Sequence, residues 1–525
     1  MLKETKNPEQ IKTLKLKKKI ITQQIESEEN EKNAVHLSRV IDEIKKEGGT
    51  NGALFWKVRN KFCKKNNENA HAVLNKEGEK CEEPEKIKEA YVQHYKDLLG
   101  TKEGKSEEEC HAEEVVDIIV KSLTNIAKKR KPHITKFDEV KDVIKSLKTK
   151  KAKDLSTWKN SMIKAGGNEM IKSVTNIVNE VDSQMLIPFE WQQMEIKSIH
   201  KKGSKMGLNN KRGLFLTSNL SKVYEKLVKK RNQELFEAGI SPWQTGGVRG
   251  RSTTDNILIT TAVIEMNQYL NKESYSVYTD AEKCFDLLDL NDGVVELWRC
   301  GTDVRDCIMI KRLNERARIK VITPVGETDF FELENIVRQG TVYGPQICIA
   351  VMDRINFTGD DIVTMYSPDL ELRAPTFVDD VMNTGSLRSA NSLIYNCSIQ
   401  EERKKMTFST KNGKTEYIYI KGKKGKVNPK TISNKVKTGH IQRVQEHKAL
   451  GTWFKEDGLL NAEIENKKAK LPLMISTTKK QASPSNLGIL AVEGRLKLIE
   501  TVVIPSILHN LEAQQSISQK TSRCT

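Results

Sequence analysis

The chain has 525 residues, of which 88 are basic and 70 acidic, giving a formal net charge of +18, and 37% of it is hydrophobic. No apolar run approaches the roughly 18 residues that cross a bilayer, and Lys17–Lys19 has no apolar stretch behind it, so an integral membrane protein and a secretory signal are both excluded. Nine cysteines with no CxxC pair and no His/Cys cluster argue against a disulfide framework or zinc module, and for a reducing compartment.

Up to about Glu68 the sequence reads as polar helix with weak apolar periodicity at Ile11, Leu14 and Ile20. From Asn69 to Glu114 it reads as a charged linker with a helix inside it, interrupted at Gly78, Pro84, Gly100 and Gly104. Helical spacing tightens at Val115, Ile118, Ile119 and Leu123. Between Lys197 and Arg231 eleven Lys/Arg face one acid, Glu225, and from Glu401 to Lys430 ten face three. Local charge of this size attracts polyanions, although a solvated lysine-rich surface has the same composition. Leu220, Val223, Tyr224, Leu227 and Val228 predict a helix that Gly239 ends. Alternation predicts a strand at Ser274–Asp280, and a less regular one at Thr376–Val381. Leu498, Ile499, Val502, Val503 and Ile504 belong to a late helical stretch before Pro505. The mixture predicts an α+β fold whose sheet is assembled from distant segments.

Two acidic sites at strand ends carry the chemistry. Alternation sets Ser276, Tyr278 and Asp280 on one strand face, with Tyr275, Val277 and Thr279 on the other. In Phe377-Val378-Asp379-Asp380-Val381, adjacent carboxylates can serve one site only if the backbone turns, as in a tight hairpin with Asp379-Asp380 at its tip. Three converging carboxylates repel one another unless cations lie between them, and two Mg²⁺ ions about 3.5–4 Å apart are the usual arrangement in phosphoryl transfer. Either motif alone is weak, because an Asp-Asp turn is more often only a turn. Between them, Arg338-Gln339-Gly340-Thr341-Val342-Tyr343-Gly344-Pro345 describes a loop entering a helix, with Pro345 near its first position.

The order of these blocks adds the strongest signal. Lys151-Ala152-Lys153-Asp154, Lys201-Lys202-Gly203, Lys211-Arg212-Gly213, Ser221–Lys226, Gln244-Thr245-Gly246-Gly247 running into Arg251-Ser252-Thr253, and Leu450-Gly451 accompany the acidic sites. From about Ile134 to Ala513 the chain resembles the reverse transcriptases of non-LTR (LINE-like) retrotransposons. The resemblance implies a right-hand polymerase: a polar extension and linker over 1–130, fingers and palm over 131–455 with core motifs in 184–455, and a shortened thumb over 456–525. It implies RNA-directed DNA synthesis from an RNA template, a DNA primer and dNTPs, with two Mg²⁺ (or Mn²⁺) ions. Asp280 and Asp379 would be the metal ligands and Asp380 a weaker partner. Phe285 matches the aromatic that excludes a ribose 2′-OH. Lys201 or Lys202, with Arg212, would grip the triphosphate, and the loop holding Gln339 and Gly340 would seat nucleotide and template. Lys414 matches a lysine that protonates pyrophosphate. Such elements copy at a chromosomal nick, which implies the nucleus.

Departures are also legible. The residues before the fingers are too few and too charged for an endonuclease, Ala449 replaces a more usual aromatic, and Gln514 stands where Trp is common. The chain therefore reads as a fragment lacking the nuclease. Two other readings compete: a co-opted relic that binds RNA without catalysis, and an RNA-directed RNA polymerase. The latter commonly has an acid five residues after the first aspartate, where this chain has Phe285.

Overall fold

A short hairpin pairing Val73 with Cys81 leads into helix α1 (Pro84–Leu99) in the computed structural model. It describes residues 72–456, except 101–105, 150–153, 202, 335, 358–363, 368–369, 373, 404–405 and 423–428. The expected early polar helix and the thumb-like tail beyond Glu456 lie outside the described residues, as do Lys202 and Lys423–Lys426. No helix among the described residues is long and apolar enough to cross a membrane.

Helix α2 (Glu107–Lys129) begins eight residues before the periodicity at Val115. Ser106 and Glu109 form a reciprocal capping box, and Glu107, Glu108 and Glu109 fill the first turn, where negative charge complements the helix dipole. The acidic run that reads as a boundary is therefore a helix start. Helices α3 (Phe137–Ser146) and α4 (Gly167–Gln184) follow, then strands β1 (Gln193–His200) and β2 (Lys211–Thr217). Helix α5 (Asn219–Gly239) has the predicted extent and buries Val223, Tyr224, Leu227 and Val228. Helix α6 (Thr253–Tyr269), strand β3 (Ser274–Thr279), a single turn at Cys284–Leu287, and helices α7 (Leu290–Arg299) and α8 (Val304–Asn314) come next. They are followed by β4 (Arg316–Thr323), β5 (Gly326–Glu327), β6 (Phe331–Glu334) and helix α9 (Gly344–Phe357). The last described part holds β7 (Thr376–Phe377), β8 (Asp380–Gly385), helix α10 (Leu387–Arg403), β9 (Glu416–Ile420), β10 (Gln442–Arg443), β11 (Glu446–Ala449) and β12 (Thr452–Lys455).

Two mixed five-stranded sheets organise these elements. The carboxylate-bearing sheet has the order β7-β8-β3-β9-β10, with β3 antiparallel to both neighbours. The basic sheet has the order β2-β1-β4-β5, with β6 also paired to β4. Strand β3 is buried on both faces: Tyr275 and Val277 join the large core with helices α2–α5 and α7–α10, while Tyr278 joins a smaller one with Ile257, Met382, Ile418 and Phe454. On the basic sheet, Met194, Ile196, Phe215, Ile319 and Val321 form a third core with Tyr91 and Tyr95 of α1. Residues 84–99, which the sequence counts with the polar extension, thus pack as a helix against this sheet. Tyr95 Oη lies 2.8 Å from Ser198 Oγ, and the Lys211 ammonium donates to Tyr91 Oη.

Candidate active site

The sheet register gathers the acidic residues. Val381 pairs with Thr279, so Asp380 and Asp280 are the residues that immediately flank the last pair of this ladder. Phe377 pairs with Asp380, closing a hairpin whose two-residue tip is Val378-Asp379. The tip thus lies one residue earlier than the expected Asp379-Asp380 tip, and Asp380 begins β8. The Thr376–Val381 strand expected from sequence is the two sides of this turn. The carboxyls act on one another. Burial, then the charges of Asp379 and Asp280, push Asp380 up to about 7. Burial also raises Asp379, and Asp280 adds to it.

The turn that aims Asp379 is strained and braced from far away. Val378 has φ +61°, which is unfavourable for a β-branched residue. The buried Gln244 side chain holds both backbone groups of Val378: its Oε1 accepts from Val378 N–H at 3.0 Å and its Nε2 donates to Val378 C=O at 3.2 Å. Gly246 donates to the same Oε1 at 3.0 Å, and a Cβ on Gly246 would sit 2.3 Å from Val378 N. Sequence reasoning singled out this glycine block without a role for it.

Lys201 and Arg212 come from the other sheet, Arg212 on β2 and Lys201 just after β1. Lys201 and Arg212 both oppose the burial that raises Asp379, and both do the same for Asp286, whose carboxyl burial pushes up to about 6. The charges of the two cations therefore act on both Asp379 and Asp286. Gln339 does not reach out freely: its Nε2 donates to Asp286 Oδ1 at 2.8 Å, and its carbonyl accepts from Phe215 N–H at 3.0 Å. Gly340 has φ +96°, and a Cβ there would meet Leu214 Cδ1 at 3.0 Å, so the loop is pressed against β2. Buried Glu225 anchors the loop from behind, its Oε2 accepting from Val342 and Tyr343 N–H at 2.8 and 3.1 Å. This gives the Ser221–Lys226 helix a structural task. Phe285 is partly buried against the large core. The Lys414 ammonium donates to Asp280 Oδ2 at 2.6 Å. Glu225, Gln244 and Asp286 lie within motifs that the sequence displays, but it assigns none of them a role, since each is a polar residue whose partner is distant in the chain.

The donor set is chemically suited to a hard divalent cation: carboxylate oxygens only, crowded enough to raise one another's proton affinity. Mg²⁺ is commonly held by one or two carboxylates plus substrate phosphates rather than a closed protein cage. Among the described residues no group of three or more His, Cys, Asp or Glu is arranged to hold a metal ion by itself.

An α+β core with aspartates on adjoining strand ends, acted on by cations from a second sheet, has the layout of a nucleic-acid polymerase. Residues 199–454 match the family described as reverse transcriptase (RNA-dependent DNA polymerase). The chain is also 26% identical over 269 residues to a Drosophila melanogaster protein named "Probable RNA-directed DNA polymerase from transposon X-element". That match covers 48% of this chain and 27% of the relative, so the chain spans about a quarter of its length. Residues 199–454 thus match a reverse-transcriptase domain, and the two findings together support the kind found in non-LTR retrotransposons. Reverse transcriptases generally use divalent metal ions.

Proposed function

We propose that this chain copies RNA into DNA, extending a primer 3′-OH with dNTPs, in a palm formed by the carboxylate sheet and fingers formed by the basic sheet. The observation that carries the reading is the gathering of Asp280, Asp379 and Asp380 at adjoining strand ends, where Asp280 and Asp379 act on Asp380 and the charges of Lys201 and Arg212 act on Asp379. Asp280 and Asp379 would hold the divalent ions, which when bound neutralise charge on the transferring phosphoryl group. The chain's own part is to aim the carboxylates, seat the triphosphate on Lys201 and Arg212, and hold the Arg338–Pro345 loop shut against β2. Synthesis at a chromosomal nick would place the protein in the nucleus. The test is primer extension on an RNA template with dNTPs and Mg²⁺. Extension only with rNTPs would favour an RNA polymerase, and template binding without extension a relic.

Two variants separate the assigned roles. Arg212→Ala removes a charged partner of the triphosphate, and hydrogen bonds to charged groups contribute about 1.5–3 kcal/mol. The apparent KM for dNTP should rise roughly tenfold to a hundredfold, with the salt dependence of RNA binding unchanged; a flattened salt slope would make Arg212 a phosphate-backbone contact instead. Phe285→Ala opens space beside the sugar, and discrimination against rNTPs should fall about tenfold or more. Unaltered discrimination would leave Phe285 as the core residue that its packing also allows.

A further inference from the structure

The loop carrying Lys414 is tied to a buried pair that no catalytic role uses. Residues 409–415 wrap Asp280 on both backbone sides: Asp280 N–H donates to Thr415 Oγ1 at 3.2 Å, and Ser409 N–H donates to Asp280 C=O at 3.2 Å. The loop closes on itself through Lys414 N–H to Lys411 C=O at 3.0 Å and Thr415 N–H to Ser409 C=O at 2.8 Å. Thr410 bonds Thr438 at 3.1 and 3.2 Å, Lys411 Nζ lies 3.5 Å from Glu282 Oε1, and a further anchor is Glu416. One carboxylate oxygen accepts from Gly413 N–H at 2.6 Å; the other lies 2.8 Å from His447 Nδ1. Glu416 is 4% exposed and His447 6%. His447 sits on β11 opposite Phe454, and its ring stacks on Tyr278 at 4.5 Å between centroids and 16° between planes.

A buried carboxylate is costly unless its oxygens are satisfied, and apolar replacement of such a pair is often no less stable. Both Glu416 oxygens are satisfied, and the bond to Gly413 fixes the residue immediately before Lys414. The stack on Tyr278 fixes the imidazole, because β3 is the strand that delivers Asp280. The hairpin β11–β12, closed tightly through Leu450 and Gly451 at φ +47° and +85°, holds the far end.

We propose that Glu416 and His447 are positioning residues that set the Lys414 loop, and through it the Lys414–Asp280 contact, for nucleotide addition. This rests on the polymerase reading above. Neither residue touches the reacting atoms, so the signature is in kcat and in loop protection rather than in substrate binding.

The experiment uses the full chain and single-nucleotide incorporation on an RNA template, with amide hydrogen exchange across residues 409–415. His447→Phe keeps the stack and loses the bond: kcat should fall about tenfold, as small displacements of catalytic groups do, with the KM for dNTP within about twofold and faster exchange at 411–415. Glu416→Gln keeps an acceptor for Gly413 and a partner for His447, and should stay within about threefold of the parent. Glu416→Ala should cost roughly tenfold or more alone, yet add less than about twofold to Lys414→Ala, because the two act as one unit. Full additivity with Lys414→Ala, or unchanged kcat and exchange in His447→Phe, would overturn the proposal. If the parent chain extends no primer, the polymerase reading fails by itself, and the exchange measurement still decides: unchanged protection at 411–415 in both His447→Phe and Glu416→Ala overturns the positioning role.

Discussion

Asp379→Asn is expected to abolish primer extension while leaving RNA affinity and folding intact. The side chain stands at the tip of the β7–β8 turn, acted on by the charges of Lys201 and Arg212 and repelled by Asp280. Amide for carboxylate keeps the volume and the turn but removes a charge that the reaction centre needs. Charge stabilisation by bound divalent ions is worth several kcal/mol, at about 1.4 kcal/mol per tenfold in rate. The rate should therefore fall by about a thousandfold or more. Because Asp379 raises its neighbour Asp380 by like-charge repulsion, its neutralisation should not lower Tm and should raise it by a few degrees. Template affinity comes from basic surface and should change little. Residual extension above about a tenth of the parent rate would remove Asp379 from the proposed metal ligands.

How far the sequence foretells this site depends on how local each cause is. The face parity of β3 is local, and it holds: Tyr275 and Val277 go to one core and Tyr278 to another. Its polarity misleads, because Ser274 and Ser276 are fully buried. Ser276 is accommodated by an Oγ–Oγ1 bond of 2.8 Å to Thr384, a residue met only when the sheet assembles. Helix α1 shows the reverse case. Ile87, Tyr91, Tyr95 and Leu99 recur every four residues and all are buried, a helical signal that the surrounding Lys and Glu obscure. The capping box at Ser106 is equally local, and the acidic first turn conceals it because a run of acids also has the composition of a linker. The offset of the catalytic turn was not readable. Local preference puts two aspartates in a turn and keeps valine out of the left-handed region; the chain does otherwise because Gln244, 134 residues away, holds Val378.

That brace makes Gly246→Ala the second large expected effect. A methyl group at Gly246 would lie 2.3 Å from Val378 N, 2.7 Å from Val378 Cγ2 and 3.0 Å from Phe377 C. Two of these atoms are backbone of the β7–β8 turn, so they cannot swing aside as the end of a long side chain does. Either the turn moves away, carrying Asp379 with it, or the Gln244 loop retreats and releases Val378 from its two hydrogen bonds. A displacement of about 1 Å at a catalytic group can cost around a hundredfold in rate, and kcat should fall by about that much with RNA affinity unchanged. Gln244→Ala removes the bonds without adding bulk, frees a strained residue to relax, and should produce a smaller loss of the same kind, about tenfold. Gly250→Ala provides the control for glycine replacement in the same loop: it has no atom within 4 Å of its added methyl, only a backbone angle of +78° to tolerate. It should lower Tm slightly and leave kcat within about threefold, since the strain of one left-handed alanine is of order 1–2 kcal/mol and falls on the loop rather than on Asp379. Equal losses in Gly246→Ala and Gly250→Ala would mean that the loop matters only for folding, and that the aim of Asp379 is set elsewhere.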